Sequence, residues 1–431
     1  MKKHYILLFI LIYSLSTKAQ WSTVGPGSGM DGIPSCLFTD TIANLLYVGG
    51  TFTTAGGTTV NHIAKWNGTT YSALGTGTND EVDACAIFGG NLYAGGYFTT
   101  AGGVSANYIA KWNGSSWSAL GSGLNGAVSS MTVYGGALYV AGNFTTAGGV
   151  SANYIAKWNG STWSAVGTGM SGDVSALKVY SGQLYAGGFF YYSGGIPVKY
   201  ISRWNGATWD SVGTGMNSSV SSLETYAGSL YAGGTFYKAG GTVVNYIAKW
   251  NGTTWSALGT GVGSDVHSLA SYSGQLYAGG TFTSASGTSA NHIAKWNGTT
   301  WNPIGTGLSS SVDEIAGYNG LIYEGGGLLI ISSSFYYIAK CSSTVGIEEN
   351  IKSSNINIFP NPFISETTIL INEESKIATL KVIDVLGREI KKINFSGNEY
   401  ILEKGDLKEG VYYLQIILDN KTVINKKIII R

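Results

Sequence analysis

The sequence predicts an all-β chain: a seven-bladed β-propeller followed by a small immunoglobulin-like β-sandwich. Three observations predict it. A 46-residue unit recurs, marked by Trp-Asn-Gly at Trp66, Trp112, Trp158, Trp204, Trp250 and Trp296. A period of that size holding several short strands is the signature of a propeller. Gly is 64 of 431 residues and aromatics are 13%, against only 11% charged residues, which suits short strands joined by tight turns. Composition then changes near residue 345: every Trp lies before it, whereas residues 346–431 hold 12 of the 24 acids. The net charge of +1 supplies no basic surface for nucleic acid.

The elements follow in chain order. Residues 1–19 read as a secretory signal peptide. Lys2 and Lys3 precede an apolar run from Tyr5 to Leu15, then small residues around Thr17-Lys18-Ala19, with cleavage expected between Ala19 and Gln20. The run is too short to span a bilayer and no later stretch reaches the length needed, so no transmembrane segment is expected.

Residues 20–345 read as the propeller. In the unit 81–121, strand A is Val82–Phe88, strand B Leu92–Phe98, strand C Asn107–Trp112 and strand D Trp117–Leu120, with a long loop at Thr99–Ala106. Asn113-Gly114 between C and D reads as a two-residue hairpin turn with both residues at positive φ. The first segment, Trp21–Gly25, matches a strand D with nothing before it. The last unit has A (Val312–Tyr318), B (Leu321–Leu328) and C (Tyr336–Cys341) but no Asn-Gly turn. The N-terminal strand is therefore expected to complete the last blade, which removes an exposed edge. Residues 346–355 read as a polar linker, and 356–431 as the sandwich, from alternating runs such as Thr379–Val385 and Val411–Ile416.

Two resemblances add to this. The tail carries Asn357-Ile358-Phe359-Pro360-Asn361-Pro362, Asp384-Val385-Leu386-Gly387-Arg388-Glu389, Leu407-Lys408-Glu409-Gly410-Val411-Tyr412-Tyr413-Leu414 and the terminal Lys426-Lys427-Ile428-Ile429-Ile430. It resembles the type A C-terminal sorting domain of the type IX secretion system of Bacteroidetes. The resemblance implies export across both membranes of a Gram-negative cell, partnership with the type IX machinery and removal of the tail. The mature protein would then be released or held at the cell surface. The repeat phrase, as in Leu46-Tyr47-Val48-Gly49-Gly50-Thr51-Phe52 and Ile63-Ala64-Lys65-Trp66-Asn67-Gly68, resembles kelch-type and, more closely, Rax2-type propeller repeats. That likeness implies the fold and transfers no activity.

Residues present in every unit are first candidates for structure. The two aromatic columns, such as Trp112 and Trp117, read as packing between blades, with a sugar-binding stack as the alternative. The basic column Lys65, Lys111, Lys157, Arg203, Lys249, Lys295 and Lys340 reads as stems laid over rings. His62 and His292 stand where Tyr108, Tyr154 and Tyr246 stand elsewhere, so they read as structural. Cys36 and Cys85 are placed in one strand A column of adjacent blades. They are expected to be buried thiols, because a bridge needs Cα atoms within about 7 Å.

Residues that vary between blades are more informative. At the start of strand A the column holds Glu81, Asp173 and Asp265; two residues on it holds Asp83, His267 and Asp313; Asp80 and Glu314 adjoin them. In a propeller these gather at one channel mouth. They read either as solvated turn residues or as a site for a polar ligand or an oxygen-liking cation such as Ca²⁺. No zinc spacing and no catalytic cofactor or catalytic residue is assigned. A lone Arg203 in the repeat region cannot supply the arginine cluster of a sialidase. The expected function is a non-enzymatic secreted or surface protein binding a glycan or a protein. The alternatives are a glycosidase or lyase using the mouth carboxylates, which needs only two or three such groups, and a purely structural surface component.

Overall fold

The structure is a computed structural model. It describes residues 21–342 apart from 27–28 and 332–333, and residues 356–430 apart from 362, 372–376, 385–387 and 419–422. The expected signal peptide with its Ala19–Gln20 cleavage point, and the expected linker 346–355, lie outside the described residues. The chain divides into two compact units, Met1–Ser343 and Thr344–Arg431. Among the described residues every regular element is a strand.

The first unit contains a four-stranded antiparallel sheet in each repeat. In the second sheet the strands are Val82–Phe88, Asn91–Gly96, Ile109–Trp112 and Trp117–Ala119, paired in chain order. Five further sheets repeat this arrangement, beginning at Pro34, Val128, Val174, Val220 and Val266. A seventh sheet is built from Val312–Tyr318, Leu321–Ile331 and Ser334–Ser342, and its outer strand is Ser22–Thr23 from the start of the chain. Ser22 lies opposite Lys340 and Thr23 opposite Ala339.

Two local readings are corrected. The loop Thr99–Ala106 contains a small hairpin, Thr100–Ala101 with Val104–Ser105. It is held by Asn79, whose Oδ1 accepts the amides of Thr99 and Thr100. Strands of two residues leave too little periodicity to be read. The Asn-Gly turn is not the two-residue type either. Trp112 pairs with Trp117, so four residues form the loop, and only Gly114 has positive φ (98°). The Asn113 side chain makes the turn itself, its Oδ1 accepting the amides of Ser115 and Ser116 at 2.9 Å.

Both aromatic columns are interior: every Trp is at most 8% exposed. The second column joins neighbouring units. Trp117, Trp163, Trp209 and Trp255 each donate Nε1–H to a carbonyl 43 residues back, at Leu74, Leu120, Val166 and Val212. The tryptophans therefore cannot be a sugar-stacking surface. His62 and His292 share positive φ with Tyr108, Tyr154, Tyr200 and Tyr246, a strained conformation imposed at one column by the repeat.

Successive sheets touch through their first strands, and the seventh touches the first in the same way. Tyr180 and Tyr226 donate O–H to the carbonyls of Gly228 and Gly274 in the next sheet, and Tyr318 of the seventh sheet donates to Asn44 of the first. Thr39 Oγ1 donates to Gly317 O (2.9 Å), and Trp66 Nε1 to Tyr323 Oη (3.2 Å).

The second unit has a three-stranded sheet and a four-stranded sheet over one core that includes Phe363, Ile369, Leu380, Val382, Leu414 and Ile428. Its motif residues serve the fold. Asn361 Oδ1 accepts the amide of Ile429, and Asp384 holds Arg388 by an ion pair of 2.7 Å and by its amide.

Candidate functional site

Each of the seven first strands breaks register at its second residue. In the second sheet Val82 pairs with Gly96 and Ala84 with Gly95, leaving Asp83 as the extra residue of a β-bulge. His267 and Asp313 are the bulge residues of the sixth and seventh sheets. A bulge re-aims its side chain away from the ladder, which gives this column its special position. The column before it faces the next loop: the carbonyls of Glu81, Asp173 and Asp265 accept the amides of Tyr97, Phe189 and Thr281.

The eight sequence candidates fall into smaller groups. Asp80, Glu81 and Asp83 are one. Asp80 Oδ1 accepts the amide of Glu81, and Ser35 Oγ of the neighbouring sheet donates to Glu81 Oε1 at 2.5 Å. Burial, then the charge of Glu81, pushes Asp83 up to about 8. His267 and Asp313 are another pair, Nδ1 to Oδ1 2.8 Å. Glu314 accepts from Ser268 Oγ (3.0 Å), and burial pushes it up to about 7. The Tyr97 hydroxyl is pushed up by burial and then by the charges of Asp83, Glu81 and Asp173. Asp265 is half-buried in the same column. Among the described residues, no group of three or more His, Cys, Asp or Glu is arranged to hold a metal ion. The eight are also not the only charges on the first strands, since Lys178 and Glu224 form an ion pair of 2.7 Å between the fourth and fifth sheets.

Sequence reasoning passed over two features. Glu324 in the second strand of the seventh sheet is fully buried, where the equivalent residues are Ala94, Ala186, Ala232 and Ala278, or Val48 and Val140. Its two carboxyl oxygens make no hydrogen bond of good geometry. Burial, then Asp313, holds its carboxyl well above the ordinary range, so it is a neutral acid.

The second is a cleft of about 410 Å³ at the fourth sheet. It is lined by Tyr191, Tyr192, Pro197 and Val198 in and beside the small hairpin, by Lys199, and by the turn Gly213-Thr214-Gly215. Where the third unit reads Asn143-Phe144-Thr145-Thr146, the fourth reads Phe189-Phe190-Tyr191-Tyr192. Phe190 is buried like Phe144, but Phe189, Tyr191 and Tyr192 are about half exposed, at 56%, 49% and 53%. Tyr200 Oη donates to Tyr191 Oη at 2.7 Å and fixes the ring, and burial followed by this bond pushes Tyr200 up to about 12. Next along, Tyr237 is 52% exposed, with the Lys238 ammonium 5.8 Å from its ring centre. The signal was legible as a local break in an otherwise regular repeat.

Comparison with known proteins bears chiefly on the second unit. Residues 357–431 match the secretion system C-terminal sorting domain family. This is a secreted or cell-surface protein of the Bacteroidetes. The sorting domain implies that the chain engages the type IX secretion machinery. An endo-acting ulvan lyase of Formosa agariphila is 34% identical over 90 residues, which is 20% of this chain and 17% of that protein. Among solved structures, the extracellular domain of the putative one-component system BT4673 from B. thetaiotaomicron aligns with a TM-score of 0.48 and 10% identity, over 96% of this chain and 58% of the other. PorZ of Porphyromonas gingivalis, an essential surface component of its type-IX secretion system, aligns with a TM-score of 0.36 and 13% identity, over 92% and 65%. The chain spans less than two thirds of each of these three proteins.

Proposed function

We propose that residues 20–345 form a closed seven-bladed propeller that is exported by the type IX route and binds a carbohydrate chain without transforming it. Closure is supported by the N-terminal strand in the seventh sheet and by the Tyr318–Asn44 bond, which repeats the Tyr180–Gly228 bond. One observation carries the ligand class: the fourth unit replaces threonines of the repeat by exposed aromatic rings beside a cleft. Aromatic faces stack on the C–H faces of sugars. Tyrosine hydroxyls, peptide groups and Lys199 would meet the sugar's hydroxyl or acidic groups. The test is binding of the secreted protein to an array of polysaccharides, with Tyr191→Ala/Tyr192→Ala as the control. Saturable binding that the double variant loses supports the reading. Absence of binding to every glycan refutes it, and binding that the variant retains moves the site elsewhere.

A carbohydrate-active enzyme is the second reading, and one observation favours it. Burial raises Asp83 to about 8 and Glu314 to about 7, within the range that suits a general acid. The likeness to the ulvan lyase spans 90 residues and lends that activity little support here. Product release from a bound polysaccharide, abolished by Asp83→Asn, would establish it.

A further inference from the structure

One position after each bulge, the first strand faces the next sheet. At three interfaces this residue is serine, and its hydroxyl accepts the amide of a residue in the following sheet. Leu177 N lies 3.0 Å from Ser130 Oγ, Leu269 N 3.0 Å from Ser222 Oγ, and Ile315 N 3.1 Å from Ser268 Oγ. Bond lengths alone then keep the two Cα atoms within about 7 Å, the outer limit for a disulfide.

Between the first and second sheets the same two positions are cysteines. Cys36 opposes Gly49 as Ser130 opposes Ala141, and Cys85 opposes Ala94 as Leu177 opposes Ala186. This corrects the placement of the two cysteines in one column. They sit one step apart: Cys36 opposes Gly49 as Ala84 opposes Gly95, and Cys85 is the residue after Ala84. Adjacent residues on a strand point to opposite faces, so the offset aims Cys36 at the second sheet and Cys85 back at the first. The structure holds both as buried thiols in one core cluster. Cys85 is the neighbour that most raises the Cys36 thiol, ahead of burial, and the thiol is held well above its ordinary range. Cys341 belongs to a different cluster.

We propose that Cys36 and Cys85 are joined by a disulfide in the exported protein, stapling the first sheet to the second. The export route passes through the oxidising periplasm. The two thiols lose two protons and two electrons as the S–S bond forms. The acceptor is a protein disulfide of that compartment, which is reduced to a dithiol through a mixed-disulfide intermediate. At 6% and 7% exposure the cysteines are closed to such an oxidant once folded. Exchange therefore takes place while the first two sheets are still separating and docking.

The test is alkylation of the secreted full-length protein in denaturant without reductant, followed by intact mass. One adduct is expected before reduction and three after it, one for each of the three cysteines. A non-reduced digest should yield one linked peptide containing Cys36 and Cys85. Three adducts without reduction, or a link through Cys341 or to a second chain, would overturn the proposal. Reduction should also lower the melting temperature of the wild type and leave that of Cys36→Ser/Cys85→Ser unchanged. If that variant does not fold, the adduct count on the wild type still decides.

Discussion

Two clefts form around equivalent turns of successive repeats, the first against the hairpin of its own unit and the second against the hairpin of the next. One, at the fourth sheet, is lined by Tyr191, Tyr192, Pro197, Lys199 and the turn Gly213-Thr214-Gly215. The other, at the fifth, has a volume of about 300 Å³ and is lined by Asn245, Tyr246, Thr260, Gly261, Ser284 and Ser286. Their backbones are alike: Met216 N donates to Lys199 O as Val262 N donates to Asn245 O, and Gly240 N to Gly215 O as Ser286 N to Gly261 O. The same backbone is therefore reused, and the difference lies in side chains: half-exposed Tyr191 and Tyr192 in one cleft, Asn245, Ser284 and Ser286 in the other. What repeats is architecture, and what breaks the repeat is the candidate for function.

The framework half of this comparison predicts the largest effects. Trp163→Ala and Trp209→Ala should each destabilise by about 3–5 kcal/mol, and by similar amounts, because both rings are buried and both bond a carbonyl of the preceding unit. Denaturant melts of the two variants check this. Clearly unequal losses would show that the repeats are not equivalent supports.

Glu324 is a break in the repeat that lies inside the core rather than at a cleft. Glu324→Val restores what Val48 and Val140 provide and should stabilise by about 1–3 kcal/mol, since a buried carboxyl without a good partner is removed. Destabilisation would reveal a structural use for the acid.

A smaller effect follows from Asp83 and Glu314, whose carboxyls are raised to about 8 and about 7. Folding keeps their protons on while the unfolded chain releases them above about pH 4. Their stabilising contribution is thus fully present at low pH. It is lost as pH rises through the window ending near 7 for Glu314 and near 8 for Asp83. Melting temperature should fall between pH 5 and 8, and Asp83→Asn/Glu314→Gln should flatten that slope. An unaltered slope in the variant would assign the effect to other groups.

The cleft half predicts the smallest change in stability. Tyr191→Ala and Tyr192→Ala remove half-exposed rings and should shift stability by less than about 0.5–1 kcal/mol while removing ligand binding.

Much of this was legible in the sequence, for a physical reason. Each unit must make the same contacts with its neighbours, so Trp158 and Trp163 recur at a fixed spacing and mark the strands. The first strand Val82–Phe88 was readable to the residue. The hairpin inside Thr99–Ala106 was not, because a few residues carry no period. The Asn113-Gly114 turn was misread because the Asn side chain, rather than two residues at positive φ, closes it. Charge pointed to the bulge column, yet hydrogen bonds there pair most of the acids locally instead of leaving them aimed at a common point. The aromatic cleft was visible as Phe189-Phe190-Tyr191-Tyr192, but only the structure separates the buried Phe190 from its three exposed neighbours.

Exchange of the fourth hairpin for the third tests the central claim most directly. Replacing residues 189–200 by the sequence of 143–154 keeps Phe at position 190 and Tyr at position 200 while removing Phe189, Tyr191, Tyr192 and Lys199. The quantity to measure is polysaccharide affinity beside the melting curve. A chimera that melts like the wild type and no longer binds is expected. A chimera that melts like the wild type and binds as tightly would contradict that claim.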